Sequence, residues 1–228
     1  MCEYVHMAPG TSAWVRAAAL ALAVTVMPLA PTGTPTAHAA DCPDVEFVFA
    51  RGTNEPPGLG RVGEALSSLL AGQLGGRKLG LYAVNYPATY DFRAAADGAS
   101  DATNHIAATS QRCPSTRFVL GGYSQGAAVV DMLLGIPPLG EKVGDVGSAP
   151  PLPFSLADRV AAVAVFGNPA TKFGNPVTVA APPFVGKAID LCNAGDPICS
   201  QGRNPFAHTS YEKTDLVGQA AGFVSGLL

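Results

Sequence analysis

Residues 117–134 read RFVLGGYSQGAAVVDMLL and contain a predicted strand followed directly by a predicted helix. The first part of this stretch, 117–121, is rich in β-formers and apolar on both faces, as buried parallel strands are. Its second part, 125–134, is apolar almost all round and predicts a central buried helix. The pattern G-x-S-x-G spans 122–126 at the junction, where glycines allow the sharp strand-to-helix turn that exposes a nucleophilic serine. We therefore predict that Ser124 is a nucleophile, with a plain helix N-cap serine as the alternative.

Segments of the same two kinds alternate on both sides of this stretch. Apolar residues at helix spacing predict helices between the strands and one more at the C-terminal end of the sequence. Strands that alternate with helices predict an α/β fold, a three-layer α/β/α sandwich with a mostly parallel central sheet. The segments 135–157 and 167–186 are rich in Pro and Gly, and we expect loops there without a helical lid. The predicted strands are 45–50, 80–86, 117–121, 160–166 and 187–191.

The composition excludes several classes of protein. Of the 228 residues, 48% are hydrophobic and 14% are charged, so the chain can bury a large core and is not disordered. The formal net charge is −3, and no run of Lys or Arg occurs. Because nucleic-acid binding needs a basic surface, we expect no nucleic-acid partner.

The N-terminal segment has the pattern of a secretory leader. The apolar run 17–27 follows Arg16 and is too short to span a bilayer. Residues 37–39 read AHA, the small-x-small pattern of a signal-peptidase site. We predict that residues 1–39 are a cleaved signal peptide. Residues 40–228 would then form one secreted domain, extracellular or associated with the cell wall, with no transmembrane segment.

Four of the five cysteines remain after this cleavage, because Cys2 leaves with the leader. An even number in a secreted chain indicates two disulfides, and four cysteines allow three pairings. The alternative is a zinc site, which we reject because no C-x-x-C occurs and only His105 and His208 remain as histidines. The four cysteines are Cys42, Cys113, Cys192 and Cys199.

The spacing around Cys42 and Cys113 favours one of the three pairings. Each cysteine stands five residues before a phenylalanine of a β-rich run, Phe47 or Phe118. If the two runs are neighbouring parallel strands that align these phenylalanines, both cysteines lie at the same edge of the sheet, close enough to bond. The other two cysteines would then close a small local loop.

A nucleophilic serine in this fold needs an acid and a base that follow it in the chain. His208 is the only histidine after Ser124 and precedes the last predicted helix, so we predict that it is the base. We expect His105, which precedes the serine within a predicted helix, to be solvated. For the acid we favour Asp196, just beyond a strand in the small cysteine loop, over Asp190 within that strand. Three more aspartates come too early or lie in the buried helix: Asp131, Asp145 and Asp158.

An oxyanion in the reaction needs hydrogen-bond donors. The usual donors are the backbone N–H after the nucleophile, here Gln125, and an N–H from the loop after an earlier strand. Thr53 follows the first strand, and it stands as far from Cys42 as Ser124 stands from Cys113. We therefore predict that Thr53 lies beside Ser124 and donates through its N–H or hydroxyl, with an ordinary Gly-Thr turn as the alternative.

Four motifs follow one another along the chain: FARGT at 49–53, GYSQGA at 122–127, CNAGDPIC at 192–199 and AHTSY at 207–211. In this order they resemble the cutinase family, in particular the secreted cutinase-like proteins of mycobacteria and related actinobacteria. The resemblance covers essentially the whole mature chain. It implies a lidless α/β-hydrolase that cleaves carboxylic esters, with Ser124, Asp196 and His208 as the triad and Thr53 and Gln125 at the oxyanion hole.

The residues and the resemblance together predict a secreted serine ester hydrolase that acts through an acyl-enzyme. We expect a monomer that acts on an ester or lipid substrate without a cofactor or a metal. An open groove bordered by loop residues such as Phe173, Phe184 and Phe206 would favour short to medium acyl chains. The alternatives are a phospholipase or an acyltransferase on envelope or host lipids, and a catalytically silent secreted surface protein.

Overall fold

Five parallel strands form one sheet in the computed structural model, which describes residues 42–137, 146–180 and 182–228. Every predicted strand is present, although the second and the last are shorter than expected and the third extends to Tyr123. The strands are β1 (Val45–Ala50), β2 (Leu79–Ala83), β3 (Arg117–Tyr123), β4 (Val160–Phe166) and β5 (Ala188–Leu191).

The predicted helices between the strands and at the C-terminal end are present, and the described residues also form two helices of a single turn. The helices are α1 (Gly60–Gln73), α2 (Ala95–Arg112), α3 (Gln125–Leu134), α4 (Phe154–Ala157), α5 (Pro205–His208) and α6 (Leu216–Ser225). The predicted ones are α1, α2, α3 and α6, and the central helix α3 begins and ends where it was predicted, at 125 and 134.

The helices cover the two faces of the sheet and so form the predicted three layers. One buried cluster joins α2 and α3 to one face, and a second joins α1 and α6 to the other face. The three central strands β1, β3 and β4 are therefore almost entirely buried, which explains why they are apolar on both faces. All described residues belong to one compact unit.

The strand order is β2-β1-β3-β4-β5. The chain leaves β1 in one direction to form β2 and then passes back over β1 to form β3. The carboxyl ends of β1 and β3 therefore flank a topological switch point, where open α/β sheets bind their ligands. The residues that follow these two strands are Thr53 and Ser124.

The register between β1 and β3 differs by one residue from the expected one. Phe47 pairs with Val119, not with Phe118. Side chains of a strand alternate between faces, and Phe47 packs on the α1 and α6 side whereas Phe118 packs on the α2 and α3 side. Aligning the two phenylalanines would have placed one of them on the wrong face.

Both expected disulfides are nevertheless present. Cys42 is bonded to Cys113, with 5.6 Å between their Cα atoms, at the amino ends of β1 and β3. Cys192 is bonded to Cys199 across a sequence separation of 7 residues, just beyond the carboxyl end of β5. The first bond therefore links the amino ends of β1 and β3, opposite to the switch point. The second lies at the carboxyl ends of the strands, on the same side as the switch point.

The two Pro- and Gly-rich segments contain only short turns where the structure describes them. These parts contain the single-turn helix α4 and the 3₁₀ turns Pro169–Phe173 and Val177–Val179, each of five residues or fewer. None of the helices in the described ranges is both long and apolar enough to cross a bilayer. The expected leader, residues 1–39, lies outside the described residues, as does Asp145.

Candidate active site

Ser124 stands at a sharp turn between β3 and α3. Its φ of 56° lies in the left-handed region that residues other than glycine rarely adopt, which costs on the order of 1–3 kcal/mol. Two glycines make the turn possible. A Cβ on Gly122 would lie 2.2 Å from the carbonyl oxygen of Gly126, and a Cβ on Gly126 would lie 1.9 Å from the carbonyl oxygen of Ala50. The G-x-S-x-G pattern is thus required by space as well as by backbone conformation.

Ser124, His208 and Asp196 form a continuous chain of hydrogen bonds. Ser124 Oγ lies 2.8 Å from His208 Nε2, and His208 Nδ1 lies 2.8 Å from Asp196 Oδ2. An ionised Asp196 accepts from the Nδ1–H group, which leaves Nε2 free to accept the serine proton. The aspartate is fully buried and the imidazole is 15% exposed, so only a small part of the base is open to solvent.

Asp196 is held by donors on both carboxylate oxygens. Oδ1 accepts from the Ile198 N–H at 2.7 Å, and Oδ2 accepts from Tyr211 Oη at 2.7 Å as well as from His208. Burial raises the pKa of Asp196, but the hydrogen bonds from His208, Tyr211 and Ile198 outweigh burial and hold this pKa below its ordinary value. The carboxylate is therefore ionised throughout the neutral range and can stabilise a charged imidazole.

Two tyrosines, which the sequence analysis assigned no role, fix the acid and the base. The hydroxyl of Tyr211 accepts from the Asn193 N–H at 2.8 Å, so its own proton is directed at Asp196. Tyr123 Oη donates to the backbone carbonyl of His208 at 2.5 Å. Tyr123 shares a strand face with the buried Val119, and a hydroxyl on an apolar face needs a partner. That alternation was the available signal for Tyr123.

Gly167, directly after β4, also limits the position of the base. Its φ is +57°, and a Cβ there would lie 2.9 Å from His208 Cε1 and 3.2 Å from Asp196 Oδ2. The imidazole therefore lies against bare backbone. Nothing in the sequence around Gly167 indicated this contact.

Thr53 and Gln125 meet across the carboxyl ends of β1 and β3, with Thr53 Oγ1 3.3 Å from Gln125 Oε1. The one-residue difference in register explains why Thr53 lies against Gln125 as well as beside Ser124. With the Thr53 proton directed at this amide oxygen, the backbone N–H groups of the two residues are the simplest donors to an oxyanion. Both residues line the same cleft as Ser124.

The loop that carries Thr53 is held in place by the buried Arg51 and by Glu55. Arg51 is 4% exposed and donates to the Tyr86 carbonyl at 2.6 Å and to the Glu55 carbonyl at 2.9 Å. Glu55 Oε2 accepts from the Gly52 N–H at 2.7 Å. These bonds hold the backbone that presents Thr53 to the cleft.

The cleft around Ser124 has a volume of about 760 Å³ and mainly apolar walls. Phe173 lines it, as expected. Phe184 does not, because it is buried in the core beneath the loop, and Phe206 is 78% exposed and does not line the cleft. The apolar walls come from Tyr90, Phe92, Ala128, Val146, Pro169, Phe173, Pro197 and Ile198.

The aspartates that the sequence analysis set aside lie away from His208. Asn168 Nδ2 donates to Asp131 Oδ1 at 3.1 Å and to Asp190 Oδ2 at 3.0 Å, so these two share a buried amide. Burial and the nearby Asp190 raise the pKa of Asp131 well above its ordinary value, and burial also raises that of Asp190. Asp158 is exposed just before β4, at the opposite edge of the sheet.

The expectation that His105 is solvated is wrong. Its ring stacks on Tyr82 with 3.4 Å between centroids, and its Nε2 lies 3.1 Å from Glu46 Oε1. Glu46 is buried on β1 and needs a partner from α2, which His105 provides. A partner for a carboxylate on a central strand could not be located before the strand pairing was known.

A parallel sheet covered by helices on both faces, with a serine at the strained turn after its central strand, defines the α/β-hydrolase class. Comparison with known proteins identifies the family within this class. The chain belongs to the cutinase family, whose model matches residues 41–228. The family and its carboxylesterase-named members indicate a carboxylic ester hydrolase.

Two relatives from Mycobacterium tuberculosis illustrate the similarity. Phospholipase Culp4 is 49% identical over 207 residues, which cover 91% of this chain and 88% of the relative. Carboxylesterase Culp1 is 45% identical over 206 residues, with 87% and 88% covered.

Solved structures show the same fold. An acetyl xylan esterase aligns with a TM-score of 0.69 at 25% identity, over 82% of this chain and 99% of its own. A cutinase from Trichoderma reesei aligns with a TM-score of 0.61 at 33% identity, over 82% and 77%.

Proposed function

We propose that this protein is a secreted serine esterase that acts through an acyl-enzyme. The observation that carries the proposal is the hydrogen-bonded chain from Ser124 through His208 to the buried Asp196, in a cleft with apolar walls. A serine without this chain has too high a pKa to attack an ester, and the chain supplies both the base and the charge that supports it.

Each step of the proposed mechanism uses a group of this site. His208 Nε2 removes the proton of Ser124 as Oγ attacks the ester carbonyl carbon. The oxyanion that forms accepts from the N–H groups of Thr53 and Gln125, while Asp196 stabilises the imidazolium. His208 then protonates the alcohol oxygen, and the C–O bond breaks to leave an acylated Ser124. Water, activated by the same imidazole, releases the acid and restores the serine.

We propose short to medium acyl chains as the preferred substrates. Each methylene buried against the apolar walls contributes up to about 0.8 kcal/mol, but only while it remains inside the cleft. The aromatic side chains at the rim are themselves largely open to solvent, with Tyr90 74% and Phe92 44% exposed. Longer chains therefore gain little from the methylenes that extend past the rim.

Secretion is part of the proposal and rests on two observations. The leader-like sequence of residues 1–39 precedes the domain, and both disulfides fit an oxidising compartment. N-terminal sequencing of the protein from culture medium should find a chain that starts after the AHA of residues 37–39. A full-length chain that stays inside the cell would contradict this part.

Phospholipids are a second candidate substrate class, because Culp4, a close relative, is named a phospholipase. The two classes share the whole mechanism and differ in the alcohol that leaves. Release of fatty acid from a phospholipid and from a p-nitrophenyl ester of the same acyl chain, at matched concentrations, separates them.

The central test is the Ser124→Ala variant. We expect hydrolysis of p-nitrophenyl butyrate to fall by several orders of magnitude, because losing such a nucleophile costs on the order of a millionfold in kcat. Ser100→Ala, an exposed serine on α2, is the matched control and should retain full activity. An alkyl phosphonate should label Ser124 in the parent protein, as found by peptide mass spectrometry. Full turnover by Ser124→Ala, or labelling at another serine, would overturn the mechanism.

A further inference from the structure

A second cavity adjoins the cleft, and a much larger share of its lining is polar than in the cleft. This polar groove has a volume of about 410 Å³ and shares Thr53, Glu55 and Arg61 with the cleft. It extends from there along the loop after β1 and the first turn of α1, where Glu64 is exposed. The two cavities therefore meet beside the serine.

An ester places one substituent on each side of its carbonyl carbon, so the two cavities can each take one. The alcohol oxygen must face His208 to receive its proton, and the oxyanion must face Thr53. Thr53 and Arg61 line both cavities, and Arg61 Nη1 donates to the carbonyl of Thr209, the residue after His208, at 3.3 Å. The polar groove therefore adjoins the cleft on the side where Thr53 and Arg61 lie. A hydrocarbon chain would leave the polar groups of this groove without partners, whereas hydroxyl groups can replace water on them.

The charges at the polar groove are mainly negative. Arg61 is its one cationic side chain in the described ranges, and it lies 3.5 Å from both Glu55 Oε1 and Glu212 Oε1. The polar groove itself is lined by two carboxylates, Glu55 and Glu64, of which Glu64 is open to solvent, and Glu212 lies just outside it. An anionic group in the polar groove would therefore meet more negative than positive charge, at distances where the repulsion is incompletely screened.

We infer that the polar groove binds the alcohol half of the substrate, and that this alcohol is neutral and carries hydroxyl groups, as in a glycerol or sugar ester. The inference rests on the proposed function and goes beyond it by naming the leaving group. Lipid esters whose alcohol carries an anionic phosphate should accordingly be poor substrates.

The test compares three soluble esters of one acid, below their aggregation concentrations: methyl octanoate, monooctanoylglycerol and monooctanoylglycerol phosphate. Titration of released octanoate gives kcat/KM for each ester with the same product. We expect the glycerol ester to exceed the methyl ester by about tenfold, and the phosphate ester to fall about tenfold below the glycerol ester at low salt. High salt should narrow the second difference.

Variants connect these differences to the polar groove. Glu64→Gln removes one charge but keeps hydrogen-bonding groups, so it should raise kcat/KM for the phosphate ester about threefold and leave the glycerol ester unchanged. Asp158→Asn, an exposed carboxylate at the opposite edge of the sheet, is the matched control and should change neither.

Three results would count against the inference, and they differ from one another. Equal kcat/KM for all three alcohols would overturn it while leaving the proposed function intact. A preference for the phosphate ester that Lys172→Gln removes would place the alcohol against the opposite wall of the cleft, where Lys172 Nζ contacts the Pro197 carbonyl. Release of octanoate from none of the esters would overturn the proposed function and the inference together.

Discussion

Replacing Tyr211 by Phe tests whether the buried hydroxyl acts on the reaction or only on the packing. The ring is fully buried between Phe166 and Tyr123, and Phe can occupy the same space. The variant loses one bond to the Asp196 carboxylate and leaves the Asn193 N–H without its acceptor. The substitution therefore removes one hydroxyl group and the two hydrogen bonds that it makes.

The size of the effect follows from these two bonds. A hydrogen bond to a charged group is worth about 1.5–3 kcal/mol, which corresponds to a loss of roughly 10- to 150-fold in kcat if Asp196 no longer holds the imidazole in place. KM should change little, because Tyr211 does not line the cleft. The unpartnered N–H costs about 1–3 kcal/mol of stability, or a fall in Tm of roughly 2–12 °C.

The pH dependence separates a role in positioning from a role in packing. With one donor fewer, the pKa of Asp196 rises towards its ordinary value, and more of its negative charge is available to stabilise the protonated form of His208. The acidic limb of the kcat/KM profile should then move to higher pH. A purely structural role would lower Tm without moving this limb.

Tyr82→Phe is the matched control for this experiment. Tyr82 also donates to a carboxylate, Asp101 Oδ2 at 2.8 Å, but outside the cleft. It should lower Tm and leave both kcat and the acidic limb unchanged. If Tyr211→Phe behaves like Tyr82→Phe, Tyr211 does not position the acid and the reasoning fails.

Three further predictions follow from the same geometry. Gly167→Ala should reduce kcat at least tenfold with the protein still folded, because the added Cβ displaces His208 and Asp196; an unchanged kcat would show that the backbone there can yield. Replacing Cys192 and Cys199 together by Ser should lower the free energy of unfolding by at most about 2 kcal/mol, because a ring this small contributes no more than that by chain entropy. The same change should lower kcat strongly because Asp196 lies in this ring, and circular dichroism melts and initial rates measure the two effects. Asp131→Asn should become more stable than the parent as pH rises from 4 to 8: the raised pKa leaves the parent unpenalised below the unfolded value near 4 and costs up to about 1.4 kcal/mol per pH unit above it, until the folded value is reached. Urea unfolding at several pH values measures the difference in the free energy of unfolding between the variant and the parent. A difference that stays constant or reverses as pH rises would contradict the raised pKa of Asp131.

The sequence carried the elements of this fold because each has a strong local pattern. The run of apolar residues at 160–166 is short and rich in valine, which favours a strand buried on both faces, and the glycines at 122 and 126 allow the sharp turn at Ser124. The order of serine, aspartate and histidine, together with the position of Asp196 in the small cysteine loop, predicted which side chains meet, and the structure places His208 within hydrogen-bonding distance of both Ser124 and Asp196.

What the sequence could not supply is contact between distant segments. The register of β1 on β3 depends on which face each phenylalanine packs against, and that is decided by helices elsewhere in the chain. The bonds of Tyr211 and the closeness of Gly167 to His208 arise only when the loops after β4 and β5 have been brought together. Partners of buried polar groups are therefore the part of a site that sequence patterns predict least well.

The wide separation of the serine from its base along the chain has a consequence for biosynthesis. The two residues stand 84 positions apart, and α6, which follows His208, packs against α1 near the start of the domain. In a fold built from such long-range contacts, the site forms only once nearly the whole domain has been made and has folded. A nascent chain that ends before His208 therefore carries an unassembled site, and a ribosome-bound chain of that length should show no esterase activity.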